Sequence, residues 1–377
     1  MSIFVEFSLL FVLAQALLTA AQIPLRKKTF RPLPRIGLIV GKALLAILFA
    51  FLVLAGPVQL RVVQPLMMAL YVALLMDAFA DAVYSVILLI KKTDRHFGVQ
   101  KTLSLVFGVL FFVFGVVNME TVKPNYHSYT SAKLTTEHKI VFLADLHVGS
   151  AQPFSVTEKT IKEIKALQPE ATILGGDIVD DYTTKEEMEA AFALFADFET
   201  PVYYVYGNHD RQGHAEYAGG QKFTPAELEQ AITSNGIVIL KDTYALLAPD
   251  LQLLGREDLS EESRKDASRL PNPHPEAYLI VADHQPNDFE EQNAASESVV
   301  GADLQLSGHT HAGQLFPLKS LYALIGGSVY GDYNSDFNGD NGKESVMNVS
   351  VGACGWRMPL RTEAHCYYEV ITLKPAE

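Results

Sequence analysis

From residue 138 onward the chain alternates between two hydrophobic periods. HKIVFLAD (138–145) is an apolar, β-branched run, and it predicts a strand. Ser155-Val-Thr-Glu158 reads as a capping box, and Val156, Ile161, Ile164 and Leu167 follow at helical spacing. ATILGGD (171–177) predicts a second strand. Thr184 and Glu187 predict a capped helix running through Phe198, and PVYYVYG (201–207) predicts a third strand. Thr224-Pro225 and Gly236 bracket a third helix. Strand-like IVIL, YALL, LQLLG, AYLIVADH and ADLQLSGH come next, then short strands near 329 and 345–351 and a final CYYEVITL. Strand–helix–strand alternation predicts βαβ units around a buried sheet, closing in antiparallel pairs.

The front of the chain has a different pattern. Ile3–Ala21, Ile36–Ala55, Val62–Ile90 and Thr102–Val117 are long apolar stretches near the ~20 residues that a helix needs to cross hydrocarbon. They predict a transmembrane region of about four helices over 1–123. The first stretch lacks a basic leader, so a true helix is preferred to a signal peptide. The polar, aperiodic segment 124–137 reads as a linker, and 138–377 as one domain.

Charge sharpens this division. Residues 1–123 carry 12 Lys and Arg against 5 Asp and Glu, and the remaining 254 carry 18 against 38, within a total net charge of −13. Arg26, Lys27, Lys28, Arg31 and Arg35 fill one inter-span loop, and Lys91, Lys92, Arg95 and Lys101 fill another. Basic loops stay cytoplasmic, which predicts an integral protein of a bacterial inner or plasma membrane with the 138–377 domain extracytoplasmic. The acidic domain argues against a nucleic-acid polymer as partner. Asp77 and Asp81 lie four apart in the third span. They are functional candidates by position, with helix pairing as the simpler reading. Cys354 and Cys366 are the only cysteines, and they could be paired or two buried thiols.

The candidate chemistry sits where the predicted strands stop. Asp145 and His147 follow the first, Asp177 the second, and Asn208, His209 and Asp210 the third; His284 follows AYLIVAD, and His309 and His311 follow ADLQLSG. Each is an ordinary turn sequence by itself. Five strand ends choosing oxygen and imidazole donors in one half of a sheet is not ordinary, since ligands bind outside the carboxyl ends of such strands. Asp145, His147, Asp177, Asn208, His284, His309 and His311 exceed what one tetrahedral ion takes, and they suit two adjacent divalent ions. Mixed imidazole and carboxylate favours Mn, Fe or Zn over Ca or Mg.

DLH (145–147), GGD (175–177), GNHD (207–210), the lone His284 in VADHQP and GHTH (308–311) resemble, in order, the five blocks of the calcineurin-like metallophosphoesterases. The resemblance covers about 138–375, and HTHAGQ with GWRMPLRTEAHCYYEV is similar to a bacterial membrane-associated branch. It implies a four-layer α/β/β/α sandwich. It also implies that Asp145, His147 and His311 hold one metal, that Asn208, His284 and His309 hold the other, and that Asp177 bridges them. His209 would be catalytic, donating to the phosphoryl group or its leaving oxygen while water activated between the cations attacks phosphorus in line. Expected substrates are phosphate-containing small molecules or lipid-linked compounds at the bilayer. The rival expectation is a non-catalytic, metal-binding membrane sensor. Asp180, Asp181, Tyr182 and Arg256 lie close enough to the motifs to shape the pocket.

Overall fold

The computed structural model describes residues 97–286, 301–311, 314–316, 329–334, 345–356 and 358–376, with isolated helical positions between 76 and 90. The chain divides into two compact units, 1–115 and 116–377.

The first described helix, α1 (Phe97–Met119), covers the fourth expected span. Among the described residues no helix is long and apolar enough to cross a membrane. That finding corrects the four-helix transmembrane region and the integral-membrane, extracytoplasmic placement. The end of α1 is instead built into the second unit. Asn118 and Met119 are buried, and Asn118 Nδ2 donates to the carbonyls of Arg361 (3.1 Å) and Ala364 (2.8 Å). The first two expected spans, and the third apart from isolated helical positions, lie outside the described residues, as do Asp77 and Asp81.

Among the described residues, twelve strands form two six-stranded sheets in the second unit. They are β1 (Val122–Ser131), β2 (His138–Leu143), β3 (Ala171–Leu174), β4 (Val202–Tyr204), β5 (Val238–Ile239), β6 (Thr243–Ala248), β7 (Leu251–Gly255), β8 (Tyr278–Ala282), β9 (Leu304–Ser307), β10 (Gly331–Asn334), β11 (Val346–Val349) and β12 (Cys366–Pro375). One sheet runs β1-β12-β2-β3-β4-β5 and the other β10-β11-β9-β8-β7-β6. The neighbours β2-β3-β4 are parallel, as are β7-β8-β9.

Side-chain alternation sorts the core. Ile140 and Phe142 of β2 join Ile173, Leu253, Ile280, Leu304 and Leu306 between the sheets. Val141 and Leu143 point the other way, toward α2 (Phe154–Ala166), α3 (Lys185–Ala193) and α4 (Pro225–Ser234), which supply Ile161, Ile164, Met188, Phe192, Leu228 and Ile232. Each such side chain stabilises the fold by roughly 1.5–3 kcal/mol. The outer face of the second sheet, with Leu254, Leu279 and Val281, packs on Leu270 and Ala302. The only helical turn there among the described residues is the 3-10 segment Ala267–Arg269. Those residues therefore show three of the four layers that the resemblance implies.

Two local expectations change. The linker assigned to 124–137 mostly belongs to β1, which pairs in parallel with β12 from Val122↔Cys366 to Ser131↔Pro375. Its side chains are too polar to announce a strand. Backbone pairing and polar bonds such as His127 Nε2 to Glu369 Oε2 (2.9 Å) hold it, and as the outermost strand it tolerates Pro124. The capping box at Ser155 is also absent. Helix α2 starts two residues earlier than that box would place it, with extended Pro153 as its N-cap and no side-chain cap. The boxes at Thr184 and Thr224 are both formed, and α3 ends at Ala193 rather than Phe198.

Candidate metal centre

Because β2, β3, β4, β8 and β9 point the same way within their sheets, their following turns meet at one edge of the sandwich. The turns are cross-linked there. Asp145 N donates to Gly176 O (3.0 Å), His147 N to Asp177 O (3.0 Å) and Gly308 N to His284 O (2.9 Å). The two sheets are joined by His284 Nδ1 on Gly175 O (2.9 Å) and by His309 N on both Asp145 carboxylate oxygens (3.1 Å each).

The seven sequence-predicted donors are brought together in two groups. Ligand atoms of Asp145, His147, Asp177 and His311 lie within 4.8 Å of one another, as do those of Asp177, His284 and His309. His311 Nε2 stands 3.0 Å from His147 Nε2 and 3.5 Å from Asp145 Oδ1. His284 Nε2 stands 3.1 Å from Asp177 Oδ2, and His309 Nδ1 is 2.8 Å from Asn208 Oδ1, which puts Asn208 at the second group. Asp177 belongs to both.

The backbone is strained where these donors sit. Asp145 (φ 54°), His147 (41°), Asp177 (51°), His309 (70°) and His311 (45°) are all left-handed. Such non-glycine conformations cost of order 1–3 kcal/mol each and persist where surrounding structure over-determines them. Neighbouring glycines give the room. A Cβ at Gly207 would collide with the Asp177 carboxylate, and one at Gly308 with that of Asp145.

The donor set fits divalent metal. Asp145 and Asp177 are buried carboxylates, and the buried Asp177 Oδ2 and His284 Nε2 atoms meet only as an ion contact of 3.1 Å, outside hydrogen-bond geometry. Burial pushes the Asp145 carboxyl up. Burial works the same way on Asp177, but the imidazoles of His284 and His209 outweigh it and hold that carboxyl well below its usual range. Burial would lower His284, yet the Asp177 carboxylate raises it well above an ordinary histidine. His309 goes the other way, down to about 4, by burial and the nearby His284. A cation would replace the imidazolium charge that these carboxylates recruit, since metal-bound imidazole must be neutral. Asp180 orients His147 by its Nδ1 at 3.3 Å, the kind of outer partner that fixes a ligand ring.

His209 stands beside both groups without joining either. Its backbone N donates to Asp177 Oδ1 (2.8 Å) and its Nδ1 pairs with Asp181 Oδ2 (2.7 Å). Burial lowers its pKa, but the Asp177 and Asp181 carboxylates raise it to about 9; cations bound next to it would bring that value down. Asp210, to which the sequence reading gave no role, clamps the centre from beneath. Its carboxylate accepts from the backbone N of Asp177 (2.9 Å), Val179 (3.1 Å) and Gly207 (2.7 Å), although burial and the Asp177 charge push its own pKa to about 6. Its place in Gly-Asn-His-Asp was the available signal. Arg256 is buried against Asp242 and the Lys265 carbonyl. Cys354 and Cys366 are both free and buried.

Comparison with known proteins agrees with this geometry. The calcineurin-like phosphoesterase family model matches residues 138–313. An uncharacterized metallophosphoesterase of Campylobacter jejuni is 27% identical over 307 residues, covering 78% of this chain and 76% of that one. A Danio rerio protein named as a transmembrane protein with metallophosphoesterase domain is 24% identical, covering 74% of this chain and 63% of that one. Phosphodiesterase YaeI of Escherichia coli is 31% identical over 188 residues, covering 47% of this chain and 62% of that one. Residues 138–313 thus carry a domain of the calcineurin-like phosphoesterase family, which implies divalent metal ions.

Proposed function

We propose that this chain hydrolyses a phosphodiester or pyrophosphate bond with two divalent cations held at the sandwich edge. The observation that carries the reading is Asp177, a buried carboxylate common to two groups of donors that come from both sheets. Asp145, His147 and His311 would hold one cation, and Asn208, His284 and His309 the other. Bound divalent cations at such a site polarise phosphoryl oxygens and lower the pKa of water.

The chain's own residues do the rest. The left-handed turns fix the backbone of His147, His309 and His311 in advance, which would lower the reorganisation needed on binding. Asp181 occupies His209 Nδ1, which leaves Nε2 to donate to a phosphoryl oxygen or to the departing alcohol. Asp210 keeps the backbone of Asp177 and Gly207 in register with the ligands. The printed name of the YaeI relative favours a diester. The excess of acidic residues beyond 123 favours a small phosphate-bearing substrate over a nucleic-acid polymer.

The test is a panel of phosphate esters given to the full chain after metal stripping and after reloading with Mn, Fe or Zn. Turnover should vanish on stripping and return with at least one metal. His209→Ala should keep its metal and lose about 10²–10⁴-fold in kcat, the usual contribution of a positioned acid or base. Hydrolysis that survives complete metal removal would refute the reading.

A further inference from the structure

The turn that carries His309 and His311 continues to Gln314, and the Gln314 side chain reaches across to another segment. Gln314 Oε1 accepts from Trp356 N (3.1 Å), while its Nε2 donates to the carbonyls of Trp356 (3.1 Å) and Met358 (3.1 Å). One side-chain amide thus holds both backbone groups of Trp356, as a neighbouring strand would. The bracing continues on both sides. Gln314 N donates to His311 O (3.0 Å), Thr362 N donates to Gln314 O (2.7 Å), and Cys354 N donates to Asp145 O (2.8 Å). The buried Arg361 guanidinium ties Val351 O (3.0 Å) and Cys354 O (2.9 Å) beneath the loop. The loop is therefore fixed to the same backbone that positions the metal donors.

This bracing holds the indole of Trp356 against His209, with ring centroids 5.4 Å apart and planes inclined by 34°. Trp356 is partly exposed, and it is the only tryptophan in the chain. A broad, rigid, apolar face beside the group that would donate to the ester suits a planar ring better than an alkyl chain. We infer that Trp356, positioned by Gln314, is a subsite for a planar aromatic ring, nucleobase or aryl, carried by the phosphoester on the side of His209. The inference rests on the phosphoester reading above and adds the class of substituent.

The sole tryptophan makes a binding test possible without turnover. The metal-loaded full chain is titrated with phenyl phosphate, adenosine 5′-monophosphate, ethyl phosphate and inorganic phosphate. Trp356 fluorescence is followed, and inhibition of ester hydrolysis is measured in parallel. Ring-bearing phosphates should perturb the fluorescence saturably and bind about tenfold tighter than ethyl phosphate, within the range that stacking on an aromatic side chain supplies. Trp356→Ala should abolish that preference in the inhibition assay, Trp356→Phe should retain most of it, and Gln314→Ala should weaken it by freeing the loop. Inorganic phosphate should inhibit all four proteins alike. Whichever of the two ring-bearing probes binds tighter identifies the source of the ring. Equal affinity for phenyl and ethyl phosphate, or a preference that Trp356→Ala leaves intact, would overturn the inference while leaving ester hydrolysis standing. Absent hydrolysis with the ring preference present would instead sink the catalytic reading alone.

Discussion

Replacing Asp210 by Ala would strip three backbone N–H groups of their acceptor at once, in a place water does not reach. Unsatisfied buried donors of this kind cost about 1–3 kcal/mol each before relaxation, so a loss of at least about 2 kcal/mol is expected. Urea unfolding of the variant should show a lower midpoint at unchanged slope, and a shift under about 0.5 kcal/mol would contradict the clamp. At this scale the sequence displayed chemistry better than conformation. The seven donors could be picked out because each follows an apolar strand, and the structure gathers them. That five of them adopt left-handed backbone was not visible, because Asp and His carry no marker for it as glycine does. Gln314 was hidden, since it acts through backbone groups of Trp356 and Met358, far away in sequence; Asp210 was visible only as the last residue of Gly-Asn-His-Asp.

Among the elements, the capped helices were the most legible. Thr184 and Glu187 exchange both bonds of the box, with Glu187 N on Thr184 Oγ1 at 3.2 Å and Thr184 N on Glu187 Oε2 at 2.9 Å. Thr184→Ala should cost about 1 kcal/mol in thermal or chemical unfolding, with no effect expected on metal content. The same four-residue signature misled at Ser155, where Pro153 already fixes the entry to the helix two residues upstream. Strand β1 was missed because its stability comes from the β12 ladder rather than from apolar side chains.

The turn between β6 and β7 supplies a pH test. Burial raises the Asp250 carboxyl, but hydrogen bonds from the Thr135 hydroxyl and amide outweigh it and bring it down to about 2, with His138 Nε2 3.0 Å away. Its folded pKa lies below its unfolded one, so its contribution is present above the unfolded value and fades as pH falls toward 2. Asp250→Asn should therefore destabilise by about 1–2 kcal/mol near pH 5 and much less near pH 2. An equal cost at both pH values would show that the charge is not the source.

At the scale of the whole molecule, alternation of strand and helix predicted a βαβ core, and the parallel neighbours in both sheets supply it. The division of the described strands between two sheets was not readable, because a buried strand looks the same in either. The apolar front stretches were read as spans from their length and loop charges alone. Among the described residues no helix is long and apolar enough to cross a membrane, and Asn118 and Met119, just past the last apolar run, are buried parts of the domain. The two sheets matter to function because neither holds a complete donor set. Asp145, His147, Asp177 and Asn208 come from one, and His284, His309 and His311 from the other.

The most direct measurement is metal content after saturation with Mn and removal of excess ion, for the wild-type chain beside Asp177→Asn. A carboxylate shared by two cations predicts two equivalents bound by the wild type and a fall to one or fewer in the variant. A wild-type chain that never exceeds one equivalent, or a variant that still holds two, would contradict the shared centre.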